Sequence, residues 1–428
     1  MKSRSQKYIY GLMIGMLALC VTSGPAFADQ EQDINEMKEI TRQQQEQIDA
    51  QAKALEEMKS RLEMMSMEKK EGAGGMMGGP FVLKGNKKSS VTLYGHINRA
   101  LLAADDGEDS DVYQVDNTAS QSRFGIKGTI HASKDVTFGT LLEAGLNVNP
   151  SDAVSQDSPR DNGDSTFTRR HVDLYAKHNS CGTLSMGHGS TASDDTTNID
   201  LSGSSLAGDS SVSDFAGGLQ FVDKSTKSLS GISIGDVFNS MDGLGRDVRV
   251  RYDTPAFAGA MASGSWVADG GGDVALRYDG KLSDIKVVGA VAYAKPRGAS
   301  TTVDNQYDGS VAMLLDSGVN MAVAGGMQEY KQNGSDDGSF YYIKLGYRDD
   351  IFLSGETRFA IDFGQYDDNL TVSGGVAHQY GKGDVIGAQV VHELENLGTE
   401  LYAGYRYYSL ESDYEDIHAL MTGLRVKF

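Results

Sequence analysis

The chain stops on HALMTGLRVKF, residues 418–428. Leu420, Thr422, Leu424, Val426 and Phe428 share one parity, while Gly423, Arg425 and Lys427 share the other. Side chains alternate across a strand, so this segment has one greasy face and one charged face and closes on an aromatic. Any half-buried strand alternates in this way. What wets each face must be read from the rest of the chain.

The same period recurs upstream. VTLYGHI (91–97) sets Val91, Leu93, Gly95 and Ile97 against Thr92, Tyr94 and His96. SRFGIKGTIH (122–131) sets Phe124, Ile126 and Ile130 against Arg123, Lys127 and His131, and RDVRVRY (246–252) sets Val248, Val250 and Tyr252 against Arg249 and Arg251. In a soluble sandwich the basic face would simply point at water. Here nearly every segment carries a thin apolar stripe, and no helical pattern follows to cover it. A wide closed barrel resolves this by turning the apolar face to lipid and the polar face to a water-filled lumen.

Turn signals count the strands. Short turns are predicted near Ser133–Asp135, Asn179–Gly182, Pro255–Gly259, Leu282–Ser283, Ser317–Gly318, Asp349–Leu353 and Glu395–Gly398. Longer polar connections alternate with them at 104–119, 149–165, 190–245, 268–273, 295–306, 331–338, 366–376 and 410–415. Seven short and eight long connections predict a sixteen-stranded antiparallel barrel over 90–428. An even count puts both barrel ends on the short-turn side, which is periplasmic in this architecture.

The N-terminus supplies the compartment. Lys2, Arg4 and Lys7 precede an apolar run from Gly11 to Val21, and Ala26-Phe27-Ala28 offers a small-x-small cleavage site. That is a secretory signal peptide over 1–28, too short in its apolar part to span a membrane. No long apolar run follows, and Cys181 is the only cysteine beyond it, so neither a helical membrane protein nor an internal disulfide is expected. The formal charge of −20, with no concentrated basic tract, argues against a nucleic-acid partner.

Residues 29–71 contain no Gly or Pro before Gly72. Ile34, Thr41, Ile48, Leu55 and Leu62 fall seven apart, and Met37, Gln44, Gln51, Met58 and Met65 follow each by three. This seam, with Ile34, Met37, Ile48, Leu55, Met58 and Leu62 as its apolar members, predicts an α-helical coiled coil before the barrel. About 35 seam residues would reach on the order of 50 Å into the periplasm. A Gly-rich linker, 72–89, joins it to the strands.

At this point the residues carry a resemblance. VTLYG (91–95), SRFGIKG (122–128), DLYAKHNSCGTLSMGHG (173–189), RVRYDTPAFAGAM (249–261), TELYAGYRYY (399–408) and terminal Phe428, in this order, resemble the general trimeric porins of Gram-negative outer membranes. The resemblance implies a homotrimer in contact with outer-membrane lipid and lipopolysaccharide. It also implies a passive channel for small hydrophilic solutes and ions, narrowed by a third loop folded inward at 190–245. Phe428 would be the signal recognised by the barrel-insertion machinery. A basic ladder on the wall is implied at Arg123 and Arg169. Lys127, Arg249 and Arg251 follow by shared parity, and His188 stands where the family commonly has arginine. Opposing acids would come from Asp194, Asp195, Asp200, Asp209 and Asp214. Opposed charges across a narrow passage set up a transverse field that orients dipolar solutes.

The outer loops add an acidic rim, Asp105, Asp106, Glu108, Asp109 and Asp111, then Asp152, Asp157, Asp161 and Asp164. Such a rim concentrates cations near the mouth and, through hard oxygens, would hold calcium loosely; no EF-hand spacing is present, and no cofactor or dedicated metal site is expected. Rim and wall pull selectivity in opposite directions, with a weak cation preference the expected balance. Two other functions compete. A substrate-specific anion channel, for dicarboxylate or phosphate, would use the arginines. An anchor would tether the membrane to peptidoglycan through the coiled coil. An enzyme is not expected, because GHGST (187–191) is not a G-x-S-x-G elbow and no H-E-x-x-H spacing occurs.

Overall fold

A computed structural model describes residues 81–86, 88–160, 167–298, 302–332, 334–352, 354–373, 376–411 and 413–428. The chain divides after Gly72, and everything described belongs to the second unit, Ala73–Phe428. The signal peptide and the coiled-coil seam therefore lie outside the described residues.

Sixteen strands form the wall. The first five are β1 (Ser89–Asp105), β2 (Arg123–His131), β3 (Val136–Leu146), β4 (Phe167–His178) and β5 (Gly182–Ser190). After a long connection come β6 (Arg246–Asp253), β7 (Ala260–Val267), β8 (Gly272–Leu282), β9 (Ile285–Lys295) and β10 (Val303–Leu315). The rest are β11 (Val319–Tyr330), β12 (Gly338–Phe352), β13 (Gly355–Asp367), β14 (Gly383–Leu394), β15 (Thr399–Leu410) and β16 (Ile417–Lys427). Each pairs antiparallel with the next, and β16 closes on β1 from His96↔Lys427 to Asp105↔His418. Closure removes both sheet edges, which matters where lipid offers no hydrogen-bond partners.

Two short strands bring the sheet to eighteen. Ser110–Val115 runs beside the upper half of β1, above the end of β2. Phe81–Asn86 pairs with Ser89–Leu93, so the chain is already in the sheet within the stretch expected as linker. At the β16 end, Phe428 and Gly95 exchange two main-chain hydrogen bonds of 2.9 and 3.0 Å. A side chain at Gly95 would come within 2.6 Å of the Phe428 ring, so glycine here seats the terminal aromatic.

Three of the expected connections differ. The one expected at 366–376 is longer, because β13 ends at Asp367, β14 starts at Gly383, and a separate hairpin, Asn369–Ser373 with Val376–Tyr380, lies between them. The loop expected at 268–273 is only the tight link 268–271 between β7 and β8. The turn expected at Asp349–Leu353 is shorter, because pairing continues past a register shift to Phe352↔Gly355.

Outward faces match the alternation: Leu93, Phe124, Ile126, Val248, Leu276, Ile361 and Leu420 are all exposed apolar groups. The inner face is less uniform than a watered lumen. On β16 the inward residues Ile417, Ala419 and Met421 are buried, in one apolar core with Phe215, Phe221, Phe238 and Met241 of the β5–β6 connection.

Candidate pore site

The β5–β6 connection, 191–245, bonds to inward side chains along much of the wall. The main chain at Ala192 and Ser193 donates to Ser265 of β7 (2.7 Å) and Asp273 of β8 (2.8 Å). Thr196 donates to Asp308, and Ile199 N–H to Ser310 at 3.2 Å, both on β10. Lys344 of β12 holds Asp200 at 2.8 Å and the Gly208 carbonyl at 2.7 Å. Tyr366, Arg406 and Tyr408 then donate to the carbonyls of Ser210, Asp209 and Val212. Polar main chain on the loop meets polar side chains on the wall, which is what burial of irregular backbone requires.

The loop also brings its own hydrophobic filling. Two helical turns, Ser213–Ala216 and Ile234–Val237, flank the hairpin Gln220–Asp223/Ser228–Ser233. Ser233 and Asp236 make a reciprocal capping box that starts the second turn. Phe238 then packs edge-on to Tyr366 and Tyr408, with ring centroids 5.2 and 5.3 Å apart.

The wall arginines divide into two groups. Arg249, 5% exposed, places both terminal nitrogens on Asp173 at 2.8 and 2.7 Å. Arg251 is held by Asp253 at 2.9 Å and donates to the Thr191 carbonyl at 2.6 Å. Both are neutralised anchors for the root of the loop, not free rungs. Arg123 is different: its Nε donates to the Gln121 carbonyl, while its Nη1 lies 3.8 Å from Glu143. Glu143 is shared, since Arg170 Nε reaches it at 2.7 Å and Tyr94 OH at 2.6 Å. Lys127 lies farther down β2 on the Arg123 face and is exposed.

Two expected rungs are on the wrong face. Glu143 stands opposite His171 and Ala144 opposite Arg169, so Arg170 is the extra residue of a bulge. The bulge turns Arg170 inward and gives Arg169 the parity of Phe167, 65% exposed on the outer face. His188 pairs across with Val172 and Val248, which both point outward, so it also belongs to the outer surface.

Three expected loop acids are taken up in the fold. Asp200 is ion-paired with buried Lys344; burial works against its charge, but Lys344 and the Ser202 donors hold its carboxyl below the usual range. Burial pushes Asp209 up to about 6, against the pull of Lys344 and Arg406. Burial, then Asp209, Asp152 and Asp242, raises Asp214 well above the ordinary value. Asp194 and Asp195 remain, and Asp242 joins them: each offers an oxygen within 4.8 Å of the other two. Among the described residues this is the cluster with metal-ligand geometry, although Arg246 Nη1 stands 3.7 Å from Asp194 Oδ2.

Sequence reasoning missed Arg170, Arg246, Glu143 and Asp242. Arg246 has the parity of outward Val248, but it opens β6 directly after Gly245, whose φ is +61°, and its guanidinium reaches back to the loop. Arg277 was missed as well; it donates to the carbonyls of Ala192 and Asp194 at 3.1 and 2.5 Å.

The rim is built rather than loose. Lys227, at the hairpin tip, bridges Glu108 at 2.6 Å and Glu415 at 2.9 Å. Asp106 accepts from the main chain of Glu108 and Asp109, closing its own turn.

Comparison with solved structures agrees with this barrel. An anion-selective porin from Comamonas acidovorans superposes with a TM-score of 0.53 at 16% identity, over 80% of this chain and 100% of that one. OmpT of Vibrio cholerae, folded in vitro, gives 0.51 at 13%, over 81% and 99%. Salmonella typhi OmpF, in complex with daunomycin, gives 0.51 at 14%, over 81% and 100%. Identities this low speak for the fold alone. No curated protein sequence matches the chain. The model of the Gram-negative porin family matches residues 15–413, so the chain belongs to that family, a closed transmembrane β-barrel of the outer membrane.

Proposed function

We propose that the protein is a passive channel for small hydrophilic solutes and ions, with its narrowest passage between the β2–β6 wall and the inward third loop. The observation that carries this reading is the facing pair of charge groups. Arg123, Arg170 and Arg246 stand on the wall side, and Asp194, Asp195 and Asp242 on the loop side. Such a passage selects by orienting dipoles and by charge, without tight binding. Asp173 and Asp253 neutralise Arg249 and Arg251, which supports a weak cation preference over an anion preference. The functional unit is a homotrimer, with the coiled coil of 29–71 bracing it in the periplasm, and no catalytic step is involved.

Single-channel recording of purified protein under a KCl gradient tests this. Stepwise openings in threes with a small cation-side reversal potential are expected. Failure to conduct would sink the channel reading and favour the anchor. One observation favours the anion-specific alternative: Arg123 and Arg170 share a single carboxylate, Glu143, with Arg246 nearby. A strong anion-side reversal, with current blocked by phosphate or a dicarboxylate, would establish it.

A further inference from the structure

We infer that the short-turn end of the lumen, between β8 and β12, is a binding site for small amphoteric solutes. These are molecules that carry an ammonium and a carboxylate together, as free amino acids and short peptides do. The inference goes beyond the channel reading above and rests on it only in taking the lumen to be a route for solutes. A recess of about 360 Å³ opens there. Lys281 and Lys286 line one part of it and Asp316 and Asp350 another. Leu314, paired with Lys286 and two residues before Asp316, lies between them.

The lysines are placed by the strands. Lys281 of β8 stands directly opposite Lys286 of β9. Lys281 shares the parity of Asp273 and Arg277, which hold the third loop, and Lys286 that of buried Ala290 and Ala294. Both therefore belong to the inner face. Like charges directly opposite one another destabilise a sheet, and among the described residues neither lysine has an ion-pair partner. The acids are placed by turns. Asp316 opens the β10–β11 turn, where Gly318, at φ +87°, accepts from the Arg348 N–H at 3.1 Å and donates to the Leu315 carbonyl at 2.9 Å. Asp350 stands near the end of β12. The other charges at the recess are already satisfied. Arg348 lies on Glu356 at 2.6 and 2.9 Å, and Asp349 accepts from the Tyr347 hydroxyl at 2.7 Å.

Two free cations and two free anions thus share one recess, and the backbone keeps them too far apart to neutralise one another. A simple anion would gain the lysines but meet Asp316 and Asp350, and a simple cation would meet the reverse. A solute with both charges gains at each end, its carboxylate toward the lysines and its ammonium toward the aspartates, with its carbon atoms against Leu314. Lys281, Asp316 and Asp350 are exposed, so solvent screening keeps the binding weak. Weak binding suits a channel, which a solute must also leave.

Tetraglycine is the probe, and its N-acetylated and C-amidated forms, with one charge each, are the controls. Saturation-transfer NMR on the full-length protein in detergent should detect tetraglycine at millimolar concentration. Apparent affinity should fall by about fivefold for either control, and equally for tetraglycine in Lys281→Gln/Lys286→Gln and in Asp316→Asn/Asp350→Asn. In single channels, tetraglycine should raise the current noise more when added from the short-turn side than from the other. The inference is overturned if the N-acetylated form binds as well as tetraglycine, which would make the recess a plain anion site. It is equally overturned if both double variants bind tetraglycine as the wild type does, or if no binding is detected. A protein that conducts without this contrast refutes the inference alone. One that keeps the NMR contrast but does not conduct refutes the channel reading and leaves the site standing.

Discussion

The barrel treats its inner face in two ways. From β2 to β6 the wall carries charged side chains that are paired in part and only partly covered, as at Arg123 and Arg246, with Glu143 and Arg170 more deeply held beside them. In part of the β11–β16 arc the inward side chains are apolar or aromatic, as at Phe340, Tyr366, Tyr408, Ile417 and Met421, and the third loop covers them, while the same strands also carry inward ion pairs such as Arg358–Glu356 and Arg425–Glu400. The alternation along the strands is the same in both arcs. What differs is the covering, and it shows that the lumen of a wide barrel holds a small protein core of its own beside a passage for water.

The largest effect should come from breaking the covered arc. Arg406 is fully buried, paired with fully buried Asp362, and donates to the Asp209 carbonyl of the loop. Arg406→Ala strands Asp362 without its partner and should destabilise the barrel by about 3–5 kcal/mol. Denaturant unfolding in detergent would measure this, and the same variant should conduct more as the loop loosens. Replacing both residues by apolar ones of similar size should recover most of the stability. No loss in the single variant would mean that the core does not hold the loop.

Much of this was legible in advance, for reasons that particular residues make plain. Strand count and outward face follow from period and turn chemistry, so β16 and the exposed Leu420 and Leu424 are where alternation puts them. Ile417 and Met421 could be placed inside, but nothing local says that they will share a core with Phe215 and Phe238, because the two pairs lie far apart in the sequence. Arg169 was misplaced because a one-residue bulge flips every side chain beyond it. His188 shares its parity with exposed Leu184 and Met186, so the alternation itself had it outside; the resemblance drew it in. Asp242 follows a long irregular stretch, and it meets Asp194 only because the loop returns on itself.

In the open arc, substitutions should alter selectivity and leave stability nearly untouched. Arg246→Gln removes a wall cation facing Asp194 and should move the reversal potential further toward the cation side, with an unfolding midpoint within about 0.5 kcal/mol of wild type. An unchanged potential would remove Arg246 from the passage. The outer surface sharpens the contrast: His188→Leu should change neither conductance nor selectivity, since His188 shares its face with Val172 and Val248. A shifted reversal potential in that variant would return His188 to the lumen.

The smallest effect should come from the rim. Lys227 makes two short ion pairs, to Glu108 and Glu415, and on distance alone they would rank among the strongest in the molecule. They sit in water, however, where screening and side-chain entropy cancel most of the Coulomb gain. Lys227→Gln should therefore leave the unfolding midpoint unchanged within error. The hairpin it caps is held independently, since the main chains of Lys224 and Glu415 donate to Asp413 and Val222 at 3.0 and 2.8 Å. What the substitution should change is access: two rim carboxylates lose their partner, and conductance to cations at low ionic strength should rise slightly and return to the wild-type value as salt is added. If the rise persists at high salt, the hairpin has moved, and Lys227 is then a structural pin of the covered arc rather than a charge at its mouth.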